Sequence, residues 1–374
     1  MSEISWPERL TAWYRQNARP LPWRSDRDPY HVWISEIMLQ QTRIEAVTGY
    51  YARFLEAFPT VEALASAPLG DVLKLWEGLG YYSRARNLHR AAGQIVQNGS
   101  FPRTAEQIRA LAGVGDYTAA AIGSIAFDLP MAAVDGNVMR VISRLYAWED
   151  NVMEPAARRR ITELVQSLMP QTAEGEHTPS VFTQALMELG EVVCLPKSPR
   201  CGECPLRHDC EALGQGKTAE LPVRIPRKKV MSQHLMVAVA LRLSPQGHKQ
   251  MLMLRRPESG MLGGMWEYPN AELTADEAAK LMSFAVIAAM DGEAREHVAS
   301  AFEKAFGTWL RPAEGPDLYL GEVRHVFTHR EWRMHVFLAS APMDPPEGEF
   351  QWVDVENPGA AIPTAFQKIR KLIL

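Results

Sequence analysis

The sequence predicts a multidomain chain: an all-α unit over residues 1–213, a linker over 214–233 and an α+β unit over 234–374. Three observations carry this reading. Apolar residues recur at helical spacing through the first 213 positions, with no strand alternation. Between Gly214 and Gln233 the texture turns polar, basic and proline-bearing. Beyond it, alternating β-rich runs surround one helical block. A length of 374 residues suits two domains, each long enough to bury a core.

Taken in order, Val32, Ile34, Ile37, Met38 and Ile44 make a first apolar stripe. Val47, Tyr50, Tyr51, Phe54 and Phe58 make a second, which Pro59 stops. Further helices are expected at 61–65, 70–77, 83–98, 105–110, 118–127, 138–148, 156–169 and 183–193, eight to ten in all. Proline, glycine, serine and threonine punctuate the junctions, as at Pro59-Thr60, Pro102 and Pro130. In the second unit, strands are expected at 235–243, 250–254, 319–326, 332–339 and 350–353. A helical block at 274–306 and a last helix at 364–374 complete it.

The apolar fraction of 47% and charged fraction of 22% exclude a disordered or fibrous chain. The acidic start, Met1-Ser-Glu-Ile-Ser-Trp-Pro-Glu8, lacks the basic-then-apolar order of a signal peptide. Apolar runs such as 284–290 are too short to span a bilayer, so a soluble, cytoplasmic chain without membrane contact is expected. The net charge of −4 hides an uneven distribution: residues 1–230 hold 26 cations against 26 acids, and the rest 14 against 18. Arg84, Arg86, Arg90 and Arg103 share a stretch with no acid, which suits either a solvated helix face or an anionic partner.

All four cysteines fall in one short stretch, Cys194-x6-Cys201-x2-Cys204-x5-Cys210. Such crowding in a long cytosol-like chain points to a metal centre rather than to disulfides. The spacing is not that of paired C-x2-C zinc ribbons, and an all-thiolate loop suits an iron–sulfur cluster, with zinc the alternative. Lys197, Arg200 and Arg207 are pressed outward by these tight loops, where they could grip phosphate.

Between two expected helices lies Leu111-Ala-Gly113-Val-Gly115-Asp-Tyr117. Glycines two apart permit a tight turn with positive φ and bare N–H groups at the next helix start, a phosphate-binding concavity. An ordinary helix–helix turn would use the same glycines. Asp135, in Val134-Asp-Gly-Asn-Val138, stands just ahead of an apolar stripe, where a simple N-cap is the plainer reading.

Together the hairpin glycines, Val-Asp-Gly-Asn-Val and the four-cysteine loop resemble the helix–hairpin–helix, iron–sulfur DNA glycosylases of the endonuclease III superfamily. The stretches Trp33-Ile-Ser-Glu36-Ile-Met-Leu39-Gln-Gln41-Thr42 and Gly78-Leu-Gly-Tyr81-Tyr-Ser-Arg84 resemble its adenine-specific branch. The resemblance implies a [4Fe-4S] cluster on Cys194, Cys201, Cys204 and Cys210, and a monomer that acts on double-stranded DNA. It further implies hydrolysis of the N-glycosidic bond of adenine mispaired with 8-oxoguanine or guanine.

The carboxylates suit that chemistry, which needs one acid to protonate the leaving base and one anion to face an oxocarbenium-like sugar. Apolar neighbours of Glu36 favour a raised pKa, while the helix start at Asp135 favours ionisation. By resemblance Glu36 is the acid and Asp135 the anion, with Tyr117 and Asn137 in support. Tyr117 stands where strand-nicking relatives carry a Schiff-base lysine, so a monofunctional enzyme is expected rather than a glycosylase-lyase. An extruded base also implies a wedge. By resemblance Gln41 and Tyr81 fill the gap, Leu39 walls the pocket, Arg24 and Gln184 meet the adenine edge, and Gly113 and Gly115 hold backbone phosphate.

In the second unit, Met261-Leu-Gly-Gly-Met-Trp-Glu-Tyr-Pro269 resembles Nudix-type domains. Ala299 and Ser300 follow Arg295-Glu296 where two magnesium-binding glutamates belong, so a recognition module is expected rather than a hydrolase. Phe327-Thr328-His329, between two expected strands, resembles the family's Phe-Ser-His loop for 8-oxoguanine, threonine keeping the hydroxyl and adding a methyl.

Overall fold

The structure, a computed structural model, describes residues 5–225, 231–258, 260–285, 292–315, 318–327, 330–341 and 348–374. They divide into two compact units, one from Met1–Pro68 with Arg84–Arg227 and one from Leu69–Ser83 with Lys228–Leu374. The division departs from the sequence reading twice. Residues 69–83 group with the second unit, and the first part of the expected linker packs into the first: Arg144 Nε donates to the carbonyl of Leu221, and the N–H of Val152 to Val223.

Among the described residues, twelve α-helices run to residue 214: α1 (Trp6–Asn17), α2 (Pro29–Leu39), α3 (Ile44–Ala57), α4 (Val61–Ser66), α5 (Leu69–Leu75), α6 (Ser83–Gln97), α7 (Ala105–Arg109), α8 (Asp116–Phe127), α9 (Gly136–Leu145), α10 (Pro155–Ser167), α11 (Pro179–Val192) and α12 (Glu211–Gly214). That exceeds the eight to ten expected: α1 went unread although Trp6, Leu10, Trp13 and Tyr14 stand at helical spacing, and the four-residue α12 is too short to show a period. The start of α1 is also written in its caps: Ser5 and Glu8 form a reciprocal capping box, with Pro7 in the first turn.

Four helices set the site. Asp28 accepts the N–H of Tyr30 and Pro29 opens α2, which is buried almost all round. Thr178 caps α11 in the same way, with Pro179 at its first position. The side chain of Asp135 accepts the Val138 N–H at 2.7 Å and so caps α9. Val138, Val141, Ile142 and Leu145 then face Phe182, Leu186 and Leu189 of α11 and Leu10 of α1. Each such side chain contributes about 1.5–3 kcal/mol by leaving water. This core fixes where both ends of α9 point.

The second unit is a mixed sheet of β1 (Met231–Leu243), β2 (Lys249–Arg255), β3 (Trp266–Glu267), β4 (Asn270–Leu273), β5 (Arg311–Pro312), β6 (Tyr319–Val326), β7 (Arg330–Ser340) and β8 (Phe350–Asp354). The long strands match their expected positions; β3, β4 and β5 are too short to show a period. Helices α13 (Ala275–Ala285) and α14 (Gly292–Phe306) account for the described parts of the expected block, and α15 (Thr364–Arg370) closes the unit. β1 pairs parallel with β7 and antiparallel with β2 and β4.

β1 reads as a continuous apolar run because both its faces are covered. Leu235, Val237 and Val239 face one core with Phe366 and Ile369 of α15. Met236, Ala238 and Ala240 face another with Val298 and Phe302 of α14.

Candidate active site

A cavity of about 470 Å³ in the first unit is lined by residues of α2, α8, α9 and α11. It gathers Arg24, Glu36, Leu39 and Gln41 from the early chain with Tyr117, Asp135, Asn137 and Gln184 from the later one. The remaining expected site residues lie elsewhere. Gly113 and Gly115 stand on the turn between α7 and α8, Tyr81 on the 69–83 segment, and Phe327 in the second unit. Thr328 and His329 lie outside the described residues.

Glu36 is 7% exposed, and its Oε2 accepts the Tyr117 hydroxyl at 2.9 Å. Burial pushes the Glu36 carboxyl up to about 7; the nearby Asp135 charge adds to this, while Tyr117 and Arg24 oppose it. Tyr117 itself, buried beside two carboxyls, is held well above its ordinary range and keeps its proton.

Asp135 corrects an expectation. The helix start does supply donors: the Val138 N–H at 2.7 Å on Oδ1 and the Asn137 side-chain amide at 3.0 Å on Oδ2. Burial nonetheless outweighs them, and the Asp135 carboxyl lies above its ordinary value rather than below. Dipole and hydrogen bonds restrain the rise without reversing it.

Asn137 links this carboxylate to the rest of the first unit. Its Nδ2 also donates to Glu191 at 3.3 Å, and its Oδ1 accepts Arg140 Nη2 at 2.8 Å. Arg140 reaches on to the carbonyls of Gly190 and Cys194. Arg144, one turn later on α9, donates to Cys194 Sγ at 3.3 Å and to the carbonyl of Leu195. α9 thus carries Asp135 at one end and grips the cysteine loop with two buried guanidiniums.

Sequence reasoning missed these arginines, because isolated cations in a helix read as solvent-facing. It also missed Glu188, 1% exposed, which Arg19 clasps through Nε and Nη2 and Arg24 through Nη2. Burial raises the Glu188 carboxyl, but the two arginines together hold it below its ordinary value. Arg24 is thereby fixed across the Tyr14 ring. Gln184 is equally set: Oε1 accepts the Tyr14 hydroxyl at 3.1 Å and Nε2 donates to Ser180.

Arg84, for which the sequence left open a solvated helix face or an anionic partner, is buried. It donates to the carbonyls of Ile37, Met38 and Gln40, closing the C-terminus of α2 and shaping the turn that carries Gln41.

Gln41 and Tyr81 share an unusual backbone: both are non-glycine residues in the left-handed region, at φ 57° and 48°. Such residues store strain and gather at functional sites. Tyr81 is 45% exposed whereas Tyr82 beside it is 2% exposed, its hydroxyl accepting the Gly78 N–H. Of the hairpin glycines, only Gly113 adopts positive φ, at 76°, and a Cβ there would strike Asn87. Gly115 has φ −92° and caps α8 in extended backbone, so the expected requirement for glycine does not extend to it.

The four cysteines line a loop packed on the core through Cys194, Cys204 and Cys210. Burial pushes the Cys204 thiol up to about 12, and the other three thiols raise it further. Thiols this close and this dry are costly to ionise alone, a cost that bound iron would remove. Among the described residues no three ligating side chains close on a single metal ion. Four thiolates that each take one iron of a cluster need not do so. Lys197, Arg200 and Arg207 are exposed around the loop, as expected.

In the second unit, Phe327 packs edge-on to His325 and Trp332 at the β6–β7 turn, its N–H donating to the carbonyl of Arg330. Burial pushes the His325 imidazole down to about 4, so the ring beside Phe327 stays neutral.

Three stretches of the chain match known protein families. Residues 34–167 match the HhH-GPD superfamily of base excision DNA repair proteins, residues 238–372 the NUDIX domain, and residues 194–210 the iron-sulfur binding domain of endonuclease III. The adenine DNA glycosylase of Rattus norvegicus is 33% identical over 96% of this chain and 76% of its own length. That of Schizosaccharomyces pombe is 30% identical over 94% of this chain and 86% of its own. A solved thermostable thymine-DNA glycosylase is similar over 56% of this chain and 95% of its own, at 27% identity and a TM-score of 0.49.

Proposed function

The chain belongs to the adenine DNA glycosylase family, and from that premise we propose that it excises adenine mispaired with 8-oxoguanine or guanine in duplex DNA. It is a base excision glycosylase with an iron–sulfur cofactor. The observation that carries the reading is Glu36, a carboxyl held near neutrality inside a cavity that also contains Asp135.

Glu36 is the general acid. Tyr117 occupies Oε2, which leaves Oε1 to carry the proton towards the departing base. Asp135 is the anion: its side-chain oxygens take hydrogen bonds from N–H donors, each of which favours the charged form. It stabilises the sugar cation or bonds to it transiently, and Glu36, deprotonated by the first step, then activates water. Tyr117 offers no amine, so the product is an abasic site without strand scission.

Cys194, Cys201, Cys204 and Cys210 would hold the cluster, which when bound joins the loop into one rigid staple. Arg140 and Arg144 carry that rigidity to the Asp135 end of α9. Gln41 and Tyr81, already in strained and protruding backbones, enter the duplex as the adenine leaves the stack. Phe327, Thr328 and His329 meet 8-oxoguanine from the second unit. The enzyme acts as a monomer in the cytoplasm.

The test is adenine release from duplexes with adenine opposite 8-oxoguanine, guanine or thymine. Release from the first two and not the third is expected; equal release from all three, or none, would overturn the substrate assignment.

A further inference from the structure

Resting on the reading of the cavity as the excision site, we propose that Glu191 is a positioning residue that holds the Asn137 amide, and through it Asp135, in the reactive arrangement.

Glu191 lines the cavity from the last turn of α11. That is a poor place for an acid. The helix C-terminus presents its own partial negative charge, and Glu188, three residues back, is a second carboxylate. Glu188 is satisfied by Arg19 and Arg24. Glu191 instead takes an N–H of Asn137 Nδ2 at 3.3 Å, with the charge of Arg19 acting on it through space.

The pattern around Asn137 is fully polarised. Arg140 has only donors and sits on Oδ1; the Asp135 and Glu191 side chains each offer an oxygen acceptor and share Nδ2. Turned over, the amide would oppose all three neighbours. Two carboxylates on one nitrogen therefore fix which face of the amide meets Asp135, and Glu191 supplies the half of that constraint that comes from α11.

The path from α11 is short. A Cβ on Gly190 would stand 2.6 Å from Asn137 Cβ and 3.2 Å from its backbone, so the two helices abut where Glu191 begins. A plain surface acid at a helix end would be expected to face solvent rather than line the cavity that holds Asp135.

The geometry requirement sets the size of the effect, since a small misplacement near reacting atoms costs up to roughly 100-fold in rate. The experiment uses the full chain with its cluster and measures single-turnover adenine release opposite guanine and 8-oxoguanine. Glu191→Ala is expected to slow release about 10-fold, and Glu191→Gln, which keeps an oxygen acceptor, to restore it to within about 2-fold of wild type. Melting temperature and affinity for a non-cleavable duplex stay at wild-type values. In an Asn137→Ala background, Glu191→Ala is expected to add nothing.

A wild-type rate for Glu191→Ala, equal slowing by alanine and glutamine, or additive loss with Asn137→Ala would each overturn the proposal. If the wild type itself releases no adenine from either duplex, the reading of the cavity fails instead.

Discussion

The two units bury different things. Among the described residues, thirteen polar or charged side chains are buried in the first unit, Glu36, Arg84, Arg140, Arg144 and Glu188 among them, and one, His335, in the second. Buried charge is expensive and needs partners, so the first unit is built around hydrogen-bonded networks, one of which runs from Arg140 through Asn137 to Asp135. The second unit instead packs apolar side chains against both faces of its sheet. On the proposed reading one unit serves the chemistry and the other recognition, and each can be broken separately.

The largest expected effect is on the chemistry. Glu36→Gln should lower single-turnover adenine release at least about 1000-fold, as the loss of a general acid does, with DNA affinity kept. Asp135→Asn should fall as far, and adds a wrong donor beside Asn137. Either variant retaining more than a tenth of wild-type release would dissolve the contrast between the units.

Next in size is the link from cluster loop to site. Arg140→Gln removes donors to Cys194, Gly190 and Asn137 together. Breaking a buried charge network of this kind costs about 3–5 kcal/mol. A lower melting temperature and release slowed 10- to 100-fold, about what a lost outer-shell partner of a metal site costs, are expected. Unchanged release in an equally destabilised protein would show the cluster loop and the cavity to be uncoupled.

How far the sequence showed this arrangement depends on the residue. The α1 helix was overlooked although Trp6, Leu10, Trp13 and Tyr14 stand at helical spacing and Ser5 and Glu8 form its capping box, and with it Tyr14 was missed. Glu36, Asp135 and the cysteines were legible because their flanking motifs are long and their residue types are matched to the chemistry. Arg140, Arg144 and Glu188 were not, since burial of a charge is decided by partners far off in the chain. The sign at Asp135 was misjudged for the same reason: a local helix start is visible in sequence, while the desolvation that outweighs it is tertiary. In the second unit β1 and β7 were plain from their apolar runs, and β3 and β5, two residues each, had no pattern to show.

A smaller effect should separate the units by pH. His335 is 3% exposed, and burial holds its imidazole below the ordinary value, with His325 at about 4. Both rings are therefore neutral in the fold and take up protons on unfolding. Stability of the second unit is present above the unfolded histidine value of about 6.5 and is lost as pH falls from there towards about 4. Hydrogen exchange should show β1 and β7 opening in that window before α9 and α11 do. The reverse order would mean that His177, the first unit's own imidazole held down by burial, outweighs His325 and His335. Smallest of all, borohydride should trap no more than a trace of covalent complex, because position 117 has no amine; efficient trapping would return the enzyme to the lyase class.

The central claim is that Glu36 stores a proton for the departing base. The pH dependence of single-turnover adenine release tests it most directly. With Glu36 titrating at about 7, release should decline tenfold per pH unit above that value, and the decline should vanish along with activity in Glu36→Gln. A rate that stays level from pH 6 to 9, a span of roughly two units above the expected turning point, would contradict the account.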